Sequence, residues 1–226
     1  MRDLLAKIQI QVNPCTYLKN PESSDLGLRI LTGSIDMIDS LGFEHFTFRK
    51  LATHIGSTEA SVYRYFENKH KLLLYLSNWY WAWMQYRLVF GTINVNSSEE
   101  QLKRAIDLLV SPVEEDMAFT HINEIKLNRI VIAESAKAYL TKEVDDENKE
   151  GAFVAYKQLV ARVSDIILQI NPSYKYSHML VSTVVEGAHL QRFFAEHLPK
   201  LTDVVEGRDA ITDFCHQMVF SAIKAD

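Results

Sequence analysis

The residues best suited to a chemical task are gathered in one short stretch, residues 46–75, where basic, hydroxyl and aromatic side chains follow one another. Arg64 can pair with guanine or with phosphate, and Ser61 suits either. The hydroxyls of Tyr63 and Tyr65 suit phosphate oxygens. This stretch holds five Lys or Arg and two Asp or Glu, although the whole chain has a net charge of −5. The local positive charge is a modest electrostatic footprint and indicates a polyanionic partner.

Two short helices separated by a tight turn would present these side chains together. The apolar spacing predicts one helix over residues 48–55 and a second over residues 59–66, with Gly56 in the break between them. A glycine-containing break of this length is typical of a helix-turn-helix, whose second helix lies in the major groove of DNA. Val62 and Phe66 are spaced to face the core. The opposite face carries Glu59, Ala60, Ser61, Tyr63, Arg64 and Tyr65.

A second interpretation of the same spacing stays open. Helix-turn-helix spacing is common in helical bundles, so two helices of some other all-α protein could carry an outer face rich in Tyr and Arg by chance. Binding to duplex DNA that weakens with salt would separate the two interpretations, because phosphate contacts release counterions.

The composition favours long helices joined by short connections. The 226 residues include 8 Gly and 5 Pro, fewer turn formers than an all-β chain or a loop-rich α/β enzyme needs. The two cysteines, Cys15 and Cys215, lie too far apart in sequence to indicate a disulfide framework. No apolar run approaches the roughly 18 residues that a membrane span needs. We therefore expect an all-α, cytoplasmic protein with no membrane partner.

The periodicity divides the chain into three parts. Residues 1–25 are predicted to be an N-terminal arm, extended or forming a short strand at residues 7–12, where apolar and polar side chains alternate. Residues 26–75 are predicted to be a three-helix domain whose first helix is ended by Gly42. Residues 76–226 are predicted to be a larger helical body. A long helix over about 69–90 joins the two, and later helices are expected at about 117–140, 149–170, 173–198 and 207–224, with a charged break at 145–148.

The sequence FTFRKLATHIG at residues 46–56, followed by SVYRYFENKHKLL at residues 61–73, resembles the DNA-binding signature of the TetR family of bacterial transcriptional regulators. The resemblance covers residues 26–75. It implies a homodimer whose N-terminal domains bind successive major grooves of a palindromic operator. It also implies a regulator, most often a repressor, that a small-molecule effector releases from DNA. No enzymatic activity, catalytic residue, cofactor or metal follows from it.

The resemblance also assigns DNA-contacting residues. They lie at the start of the second helix, at the tip of the recognition helix and at its main contact positions, and they include a lysine that binds phosphate. Together with Arg64, the basic residue on the outer face of the recognition helix, the set is Thr47, Arg49, Thr58, Glu59, Ala60, Ser61, Tyr63, Arg64, Tyr65 and Lys69. Glu59 is unusual on a DNA face, because it repels phosphate; it could accept from cytosine or hold Arg64 in place. Ser57 and Ala60 depart from the family pattern, so the operator sequence is not predictable.

Aromatic residues on many sides of the long helix predict an effector cavity in the helical body, because they cannot all face one core layer. The predicted lining is Trp81, Trp83, Tyr86, Phe119, His121, Tyr156 and His189. Plain packing in the core and between domains would explain the same aromatic residues, and the sequence does not separate these alternatives.

The last two predicted helices carry apolar stripes wider than one buried seam needs. This width suits a pair of helices that also packs on its symmetry mate as a four-helix bundle, the arrangement that the TetR resemblance implies. The predicted dimer residues are Val181, Val185, Phe193, Ile211, Phe214, Met218 and Ala222. Burial in the chain's own core is the alternative.

One motif favours a different class of protein. Glu186 and His189 have the Glu-x-x-His spacing that binds iron in helical di-metal proteins. That architecture needs a second such unit, which the sequence lacks. The alternative function is therefore a small helical metal-binding or enzymatic protein in which the helix-turn-helix does not serve DNA binding.

Overall fold

The computed structural model describes residues 10–116 and 118–224, and within these ranges the regular elements are helical. The predicted all-α fold is confirmed. Val205 and Arg208 form an isolated β-bridge. The alternation predicted to be extended at residues 7–12 lies partly outside the described ranges, and residues 10–13 carry neither helix nor strand.

Ten α-helices follow one another along the described chain. They are α1 (Asp25–Leu41), α2 (Phe48–His54), α3 (Glu59–Tyr63), α4 (Lys69–Thr92), α5 (Ser98–Val110), α6 (Glu124–Tyr139), α7 (Val144–Lys149), α8 (Val154–Ile170), α9 (Ser177–His197) and α10 (Ala210–Lys224). Short 3₁₀ turns lie at Pro14–Thr16, Pro21–Ser23 and Pro199–Leu201. No helix in this part of the chain is both long and apolar enough to cross a membrane.

Local capping signals set the ends of the first helices. Thr47 Oγ1 accepts a first-turn N–H of α2 at 3.2 Å, and Thr58 Oγ1 accepts a first-turn N–H of α3 at 3.3 Å. Gly42 and Gly56 take φ values of +77° and +63°, which glycine adopts without the strain that a Cβ would add. These four residues act where the sequence predicted that helices begin or end.

The three N-terminal helices share an apolar core. The fully buried side chains that form it include Ile30, Leu31, Phe46, Leu51, Val62 and Phe66. Val62 and Phe66 thus face the core, as their spacing predicts. Burial of one such side chain stabilises the fold by about 1.5–3 kcal/mol, so the outer face of α3 rests on a well-anchored inner face.

Contacts between helices group the chain into two compact units. Among the described residues, the first contains residues 10–82 together with Val113–Val154, and the second contains Trp83–Pro112 and residues 155–224. Helices α6 and α7 therefore pack with the N-terminal helices, although they lie in the part of the sequence assigned to the helical body. The predicted division of function at residues 75 and 76 stays a prediction, because compactness does not test which residues bind DNA or a ligand.

Within the first unit, α6 lies against α1 through charged and polar contacts. Arg129 donates two hydrogen bonds, 2.8 and 2.7 Å long, to the carboxylate of Asp39. The buried carboxylate of Glu134 accepts the backbone N–H of Phe43, just beyond the end of α1, at 3.2 Å. A two-pronged arginine–carboxylate pair is geometrically specific, so these contacts fix the position of α6 along α1.

Within the second unit, Arg192 of α9 joins the end of α5 to the start of α10. Its guanidinium donates to the carbonyl oxygen of Val110 at 3.0 and 2.7 Å, and to the carboxylate of Asp209 at 2.7 Å. Asn171, just after α8, donates to the carbonyl oxygen of Ile223 at 2.8 Å. Carbonyl groups in the last turn of a helix lack partners within the helix, and these side chains supply them.

Several helix boundaries differ from the predicted ones, and two of the differences concern α6 and α7. The acidic segment at residues 145–148, expected to be a break, belongs to α7. Its carboxylates lie in the first turn, where the positive end of the helix dipole stabilises negative charge. Helix α6 begins at Glu124 instead of near residue 117, and the side chain of Asn123 caps it by accepting a backbone N–H.

Candidate nucleic-acid interface

The outer side of α2 forms an open groove with basic residues in its lining. The lining residues are Thr47, Arg49, Lys50, Thr53 and His54. Arg49 and Lys50 are exposed, whereas Leu51 and Ala52 on the other side of the helix are buried. Guanidinium, ammonium and hydroxyl groups are the side-chain donors that proteins use for phosphate oxygens, so this groove suits a nucleic-acid backbone.

The outer face of α3 carries small and charged side chains. Glu59, Ala60 and Arg64 are exposed, and Ser61 is half-buried. The hydroxyls of Thr58 and Ser61 are hydrogen-bonded to each other at 2.8 Å, which holds both at the start of the helix. The first turn of a recognition helix is the part that reaches base edges, so these side chains occupy positions suited to reading DNA.

Tyr63 is held in place by a neighbouring ring. Its ring is edge-on to the buried ring of Phe48, with centroids 5.0 Å apart and planes at 71°. The Tyr63 side chain is nevertheless 47% exposed. An aromatic contact of this geometry orients the side chain, so the phenol of Tyr63 is anchored at its base and open at its surface.

Glu59 and Arg64 lack ion-pair partners in the described part of the chain. One of the two roles expected for Glu59 was to hold Arg64 in place, and the structure shows no ion pair between these two side chains. The carboxylate is exposed at the first residue of α3, on a face that also carries Arg64. A free carboxylate at this position remains available to accept a hydrogen bond from a base amino group.

Tyr65 was expected on the outer face of α3, and the structure corrects this. Its side chain is 3% exposed, and its hydroxyl is 2.7 Å from the hydroxyl of Ser24. Lys19 donates to the same hydroxyl at 3.3 Å. The helical spacing fails here because α3 ends at Tyr63, two residues earlier, and the chain then turns inward.

Lys69, expected to bind phosphate, has protein partners. Its ammonium donates to the carbonyl oxygens of Phe43 at 3.0 Å and of Glu44 at 3.4 Å. It also lies 4.6 Å from the centroid of the Phe43 ring, at cation–π distance. Lys69, the first residue of α4, therefore joins this helix to the segment after α1. Its role in phosphate binding stays a prediction.

Three residues of the α2 groove were missed by the sequence interpretation. Lys50, Thr53 and His54 extend the face that begins at Thr47 and Arg49. A helical repeat of three and four residues relates them to the two predicted positions, and the apolar residues between them face inward. That periodicity was the available signal.

The predicted effector residues of the first unit take part in aromatic packing. Phe119 lies edge-on to Trp79, with ring centroids 5.4 Å apart, and Trp81 lies 5.0 Å from the ring of Tyr80. The Nε2 atom of His121 is 3.7 Å from Glu22 Oε1. These contacts agree with the alternative that these residues pack the core.

The predicted effector residues of the second unit include a polar pair. Tyr156 donates its hydroxyl hydrogen to Glu186 Oε1 at 2.8 Å. His189, one turn along α9 from Glu186, is buried, and this burial lowers the pKa of its imidazole to about 4.

The other two predicted effector residues of this unit make aromatic contacts. Trp83 is fully buried, and the guanidinium of Arg87 lies 4.8 Å from the centroid of its ring. The rings of Tyr86 and Phe90 pack with their centroids 4.5 Å apart.

The residues predicted to form a dimer surface separate into two groups. Val181, Val185 and Ile211 are buried within their own chain, so they are core residues and leave little side-chain surface for a second copy. Phe214 is 56% exposed. Phe193, Met218 and Ala222 are half-buried. A wide apolar stripe indicates that a helix is buried on more than one side. It does not indicate which of its residues are buried by the same chain and which by a second copy.

The outer face of α9 also carries two apolar residues that the sequence interpretation missed. Met179 is 66% exposed and Leu190 is 53% exposed. Eleven residues, about three helical turns, separate them, so they share one face of α9. Gly187 lies between them, and a Cβ added there would meet no atom within 4 Å.

The Glu-x-x-His motif does not recruit further ligands. No group of three or more His, Cys, Asp or Glu side chains that could hold a metal ion occurs in residues 10–116 and 118–224. The carboxylate of Glu186 accepts the Tyr156 hydroxyl instead. The geometry therefore gives the metal-protein alternative no support.

Comparisons with known proteins agree with this geometry. The model of the family "Bacterial regulatory proteins, tetR family" matches residues 30–76, which run from the first half of α1 through α2 and α3 into the first two turns of α4. No curated protein matches the chain significantly.

Solved structures share the fold at low sequence identity. A protein from Saccharomonospora viridis, described as a transcriptional regulator and solved with choline, has a TM-score of 0.56 and 18% identity, over 88% of this chain and 95% of that one. A regulatory protein in the tetR family from Rhodococcus RHA1 has a TM-score of 0.56 and 11% identity, over 90% and 100%. AibR, solved with isovaleryl coenzyme A and operator DNA, has 0.55 and 16%, over 85% and 95%.

Proposed function

We propose that this chain, a TetR-family transcriptional regulator whose residues 30–76 match that family's DNA-binding domain, is a repressor that binds a palindromic operator as a homodimer. The observation that carries the proposal is the exposed surface of α2 and α3, on which Arg49, Lys50, Tyr63 and Arg64 are all accessible. In this proposal α3 lies in the major groove and α2 crosses the backbone.

The chemistry of this surface supports both parts of DNA recognition. Arg49 and the remaining groove residues of α2 are suited to phosphate, which supplies affinity that falls as salt rises. Glu59, Ala60 and Arg64 of α3 are suited to base edges, which supply specificity. The proposal places the protein in the cytoplasm, where bacterial DNA is found.

The homodimer is proposed to form through the outer faces of α9 and α10. Exposed large apolar side chains at Met179, Leu190 and Phe214 would leave water there. The open side of Gly187 permits close approach of a second backbone. A symmetric pair of this kind presents two recognition helices to half-sites about 34 Å apart, one turn of DNA.

The effector is proposed to bind in the second unit, near the Tyr156–Glu186 pair and His189. A phenol, a carboxylate and a neutral imidazole together offer hydrogen-bond partners for a small ligand. AibR was solved with isovaleryl coenzyme A and operator DNA, and the Saccharomonospora viridis protein with choline, which supports small-molecule control in this fold. A ligand that prefers the DNA-free state releases the operator through that difference in affinity.

DNA binding tests the proposal directly. Chromatin immunoprecipitation of the native protein would identify its genomic sites, and fluorescence anisotropy with one such duplex would give the affinity at several salt concentrations. We expect Arg64→Ala to weaken binding about tenfold or more, because it removes a contact to base or phosphate.

The control is Lys103→Ala, which removes an equal charge from an exposed position on α5. It should bind like the unmodified protein. If the unmodified protein binds no genomic duplex at any salt concentration, or if Arg64→Ala and Lys103→Ala bind equally well, the proposed function is wrong.

A further inference from the structure

Residues 10–24, here called the N-terminal strap, are packed against the first unit. Thr16 is fully buried, Ile10 is 7% exposed and Pro21 is buried. The strap contains two 3₁₀ turns, each capped by an asparagine side chain, Asn13 and Asn20. A segment with buried side chains and capped turns has a defined path along the fold.

The strap holds the residue that follows the recognition helix. The backbone N–H of Leu18 donates to the carbonyl oxygen of Tyr65 at 2.8 Å. The hydroxyls of Ser24 and Tyr65 are 2.7 Å apart. Lys19 donates to the Tyr65 hydroxyl at 3.3 Å, and its ammonium lies 5.0 Å from the Tyr65 ring centroid. Three residues of the strap, Leu18, Lys19 and Ser24, thus contact the side chain or the carbonyl oxygen of Tyr65.

The strap is itself anchored to α4. Tyr17 lies edge-on to Tyr75, with ring centroids 5.9 Å apart. Glu22 Oε1 accepts hydrogen bonds from Trp79 Nε1 at 3.0 Å and from the Tyr75 hydroxyl at 3.2 Å. Because these two α4 residues are buried, the position of the strap is set by the core.

A second anchor joins the strap to the segment after α7. Asn13 donates its side-chain amide to the carbonyl oxygens of Glu150 at 3.3 Å and Gly151 at 3.1 Å. At the other end of the strap, a Cβ on Gly27 would lie 2.0 Å from the carbonyl oxygen of Pro21, so only glycine permits this approach. Both ends of the strap are therefore fixed.

The recognition helix needs such outside support because it is short. Helix α3 spans five residues, little more than one turn, and an isolated helix of that length is unstable in water. Its last carbonyl groups lack helical partners. Support for Tyr65 holds the end of α3 and therefore the two neighbouring residues that face outward, Tyr63 and Arg64.

We propose that the N-terminal strap is a positioning element of the DNA interface, which acts through Tyr65 without touching DNA. The inference rests on the proposed DNA-binding function and deepens it. The strap fixes the orientation of Tyr63 and Arg64, so operator affinity depends on residues remote from the contact surface. Loss of the strap contact should lower affinity without changing the number of phosphates contacted.

The sharpest test changes one backbone hydrogen bond. Leu18→Pro removes the N–H that Tyr65 accepts, and the extended conformation of Tyr17, φ −144° and ψ 156°, is the one that a following proline favours. Leu18→Ala is the matched control, because the Leu18 side chain is 65% exposed and its truncation keeps the N–H. We expect Leu18→Pro to bind the operator about five- to tenfold more weakly, the effect of one lost hydrogen bond. Leu18→Ala should bind like the unmodified protein.

A second variant guards against misfolding of the proline variant. Lys19→Met keeps the side-chain stem and removes the ammonium that contacts Tyr65. It should weaken operator binding by a smaller factor, with an unchanged slope of log affinity against log salt. Amide hydrogen exchange of residues 62–66 should become faster in both variants while exchange of the α4 core stays slow.

The outcomes are separable. If both variants keep the affinity of the unmodified protein and the same exchange rates, the strap has no positioning role. If Lys19→Met lowers the salt slope by about one, Lys19 contacts phosphate directly and the proposal is overturned. If the unmodified protein binds no duplex, the proposed function fails, and hydrogen exchange of residues 62–66 still decides whether the strap supports α3.

Discussion

The ring of Tyr63 stands edge-on to the ring of Phe48 with 5.0 Å between centroids, so the recognition helix carries an aromatic side chain that α2 holds in place. Phe48 is 3% exposed and Tyr63 is 47% exposed. The contact therefore links a core residue to a residue at the surface. It fixes the direction in which the hydroxyl of Tyr63 points from the surface of α3.

Tyr63 allows the ring and the hydroxyl to be tested separately. Tyr63→Phe keeps the edge-on contact and removes the hydroxyl, so we expect weaker operator binding with unchanged thermal stability. Tyr63→Ala also removes the ring contact, which is worth about 0.5–1.5 kcal/mol, and should lose specific binding and lower the melting temperature slightly. Anisotropy titrations and calorimetry measure the two effects. Equal operator affinity of all three proteins would contradict a role for Tyr63.

Glu59 should set base preference. Its exposed carboxylate has no cation partner in the part of the chain that the structure describes, and cytosine offers the amino group that carboxylates accept in the major groove. We expect Glu59→Ala to relax discrimination at one cytosine in each half-site by about 1–3 kcal/mol. It should also strengthen binding to unrelated duplexes, because a charge that repels phosphate is gone.

The measurement is a set of operator duplexes in which each position is substituted in turn. Glu99→Ala, which removes an equal charge from an exposed position on α5, is the matched control and should leave the cytosine preference intact. An unchanged preference profile in Glu59→Ala would show that the carboxylate reads no base.

Phe214 should be needed for self-association. A carboxylate in its place puts a charge on the apolar outer face of α10, so Phe214→Glu should shift the protein from dimer to monomer in sedimentation velocity and weaken operator binding with it. Gln158→Glu on α8 adds the same charge at an exposed polar position outside the proposed interface helices and should stay dimeric. A dimer that survives Phe214→Glu would place the interface elsewhere.

His189 should make stability fall in acid. Burial lowers the pKa of His189 from 6.5 to about 4, so the folded state favours the neutral imidazole. This contribution is present above pH 6.5 and is lost as the pH falls from 6.5 towards 4, by up to about 3 kcal/mol. Urea unfolding at several pH values measures it.

His189→Gln should flatten that dependence. The control is His178→Gln, a change at an exposed position near the start of the same helix. This variant should keep the pH dependence of stability of the unmodified protein. If His189→Gln retains the full loss of stability between pH 6.5 and 4, other groups cause it.

Features encoded over a few neighbouring residues were predictable from the sequence. The hydroxyls of Thr47 and Thr58 cap α2 and α3, and the helix-ending glycines were placed correctly, because caps and turns depend on local chemistry. The inward direction of Val62 and Phe66 followed from helical spacing. The same local pattern carried the family resemblance that the match at residues 30–76 confirms.

Features that depend on contacts between residues far apart in the sequence were not predictable from it. Tyr65 continued the spacing of an exposed face, yet it is buried because α3 ends before it and the N-terminal strap covers it. Val185 and Ile211 belonged to an apolar stripe, and only packing with their own chain made them core. The sequence by itself determined the helices, their caps and the basic outer face, because these arise from interactions within about one turn. The tertiary structure decided burial, the strap and the free apolar face, because each depends on contacts between residues far apart in the chain.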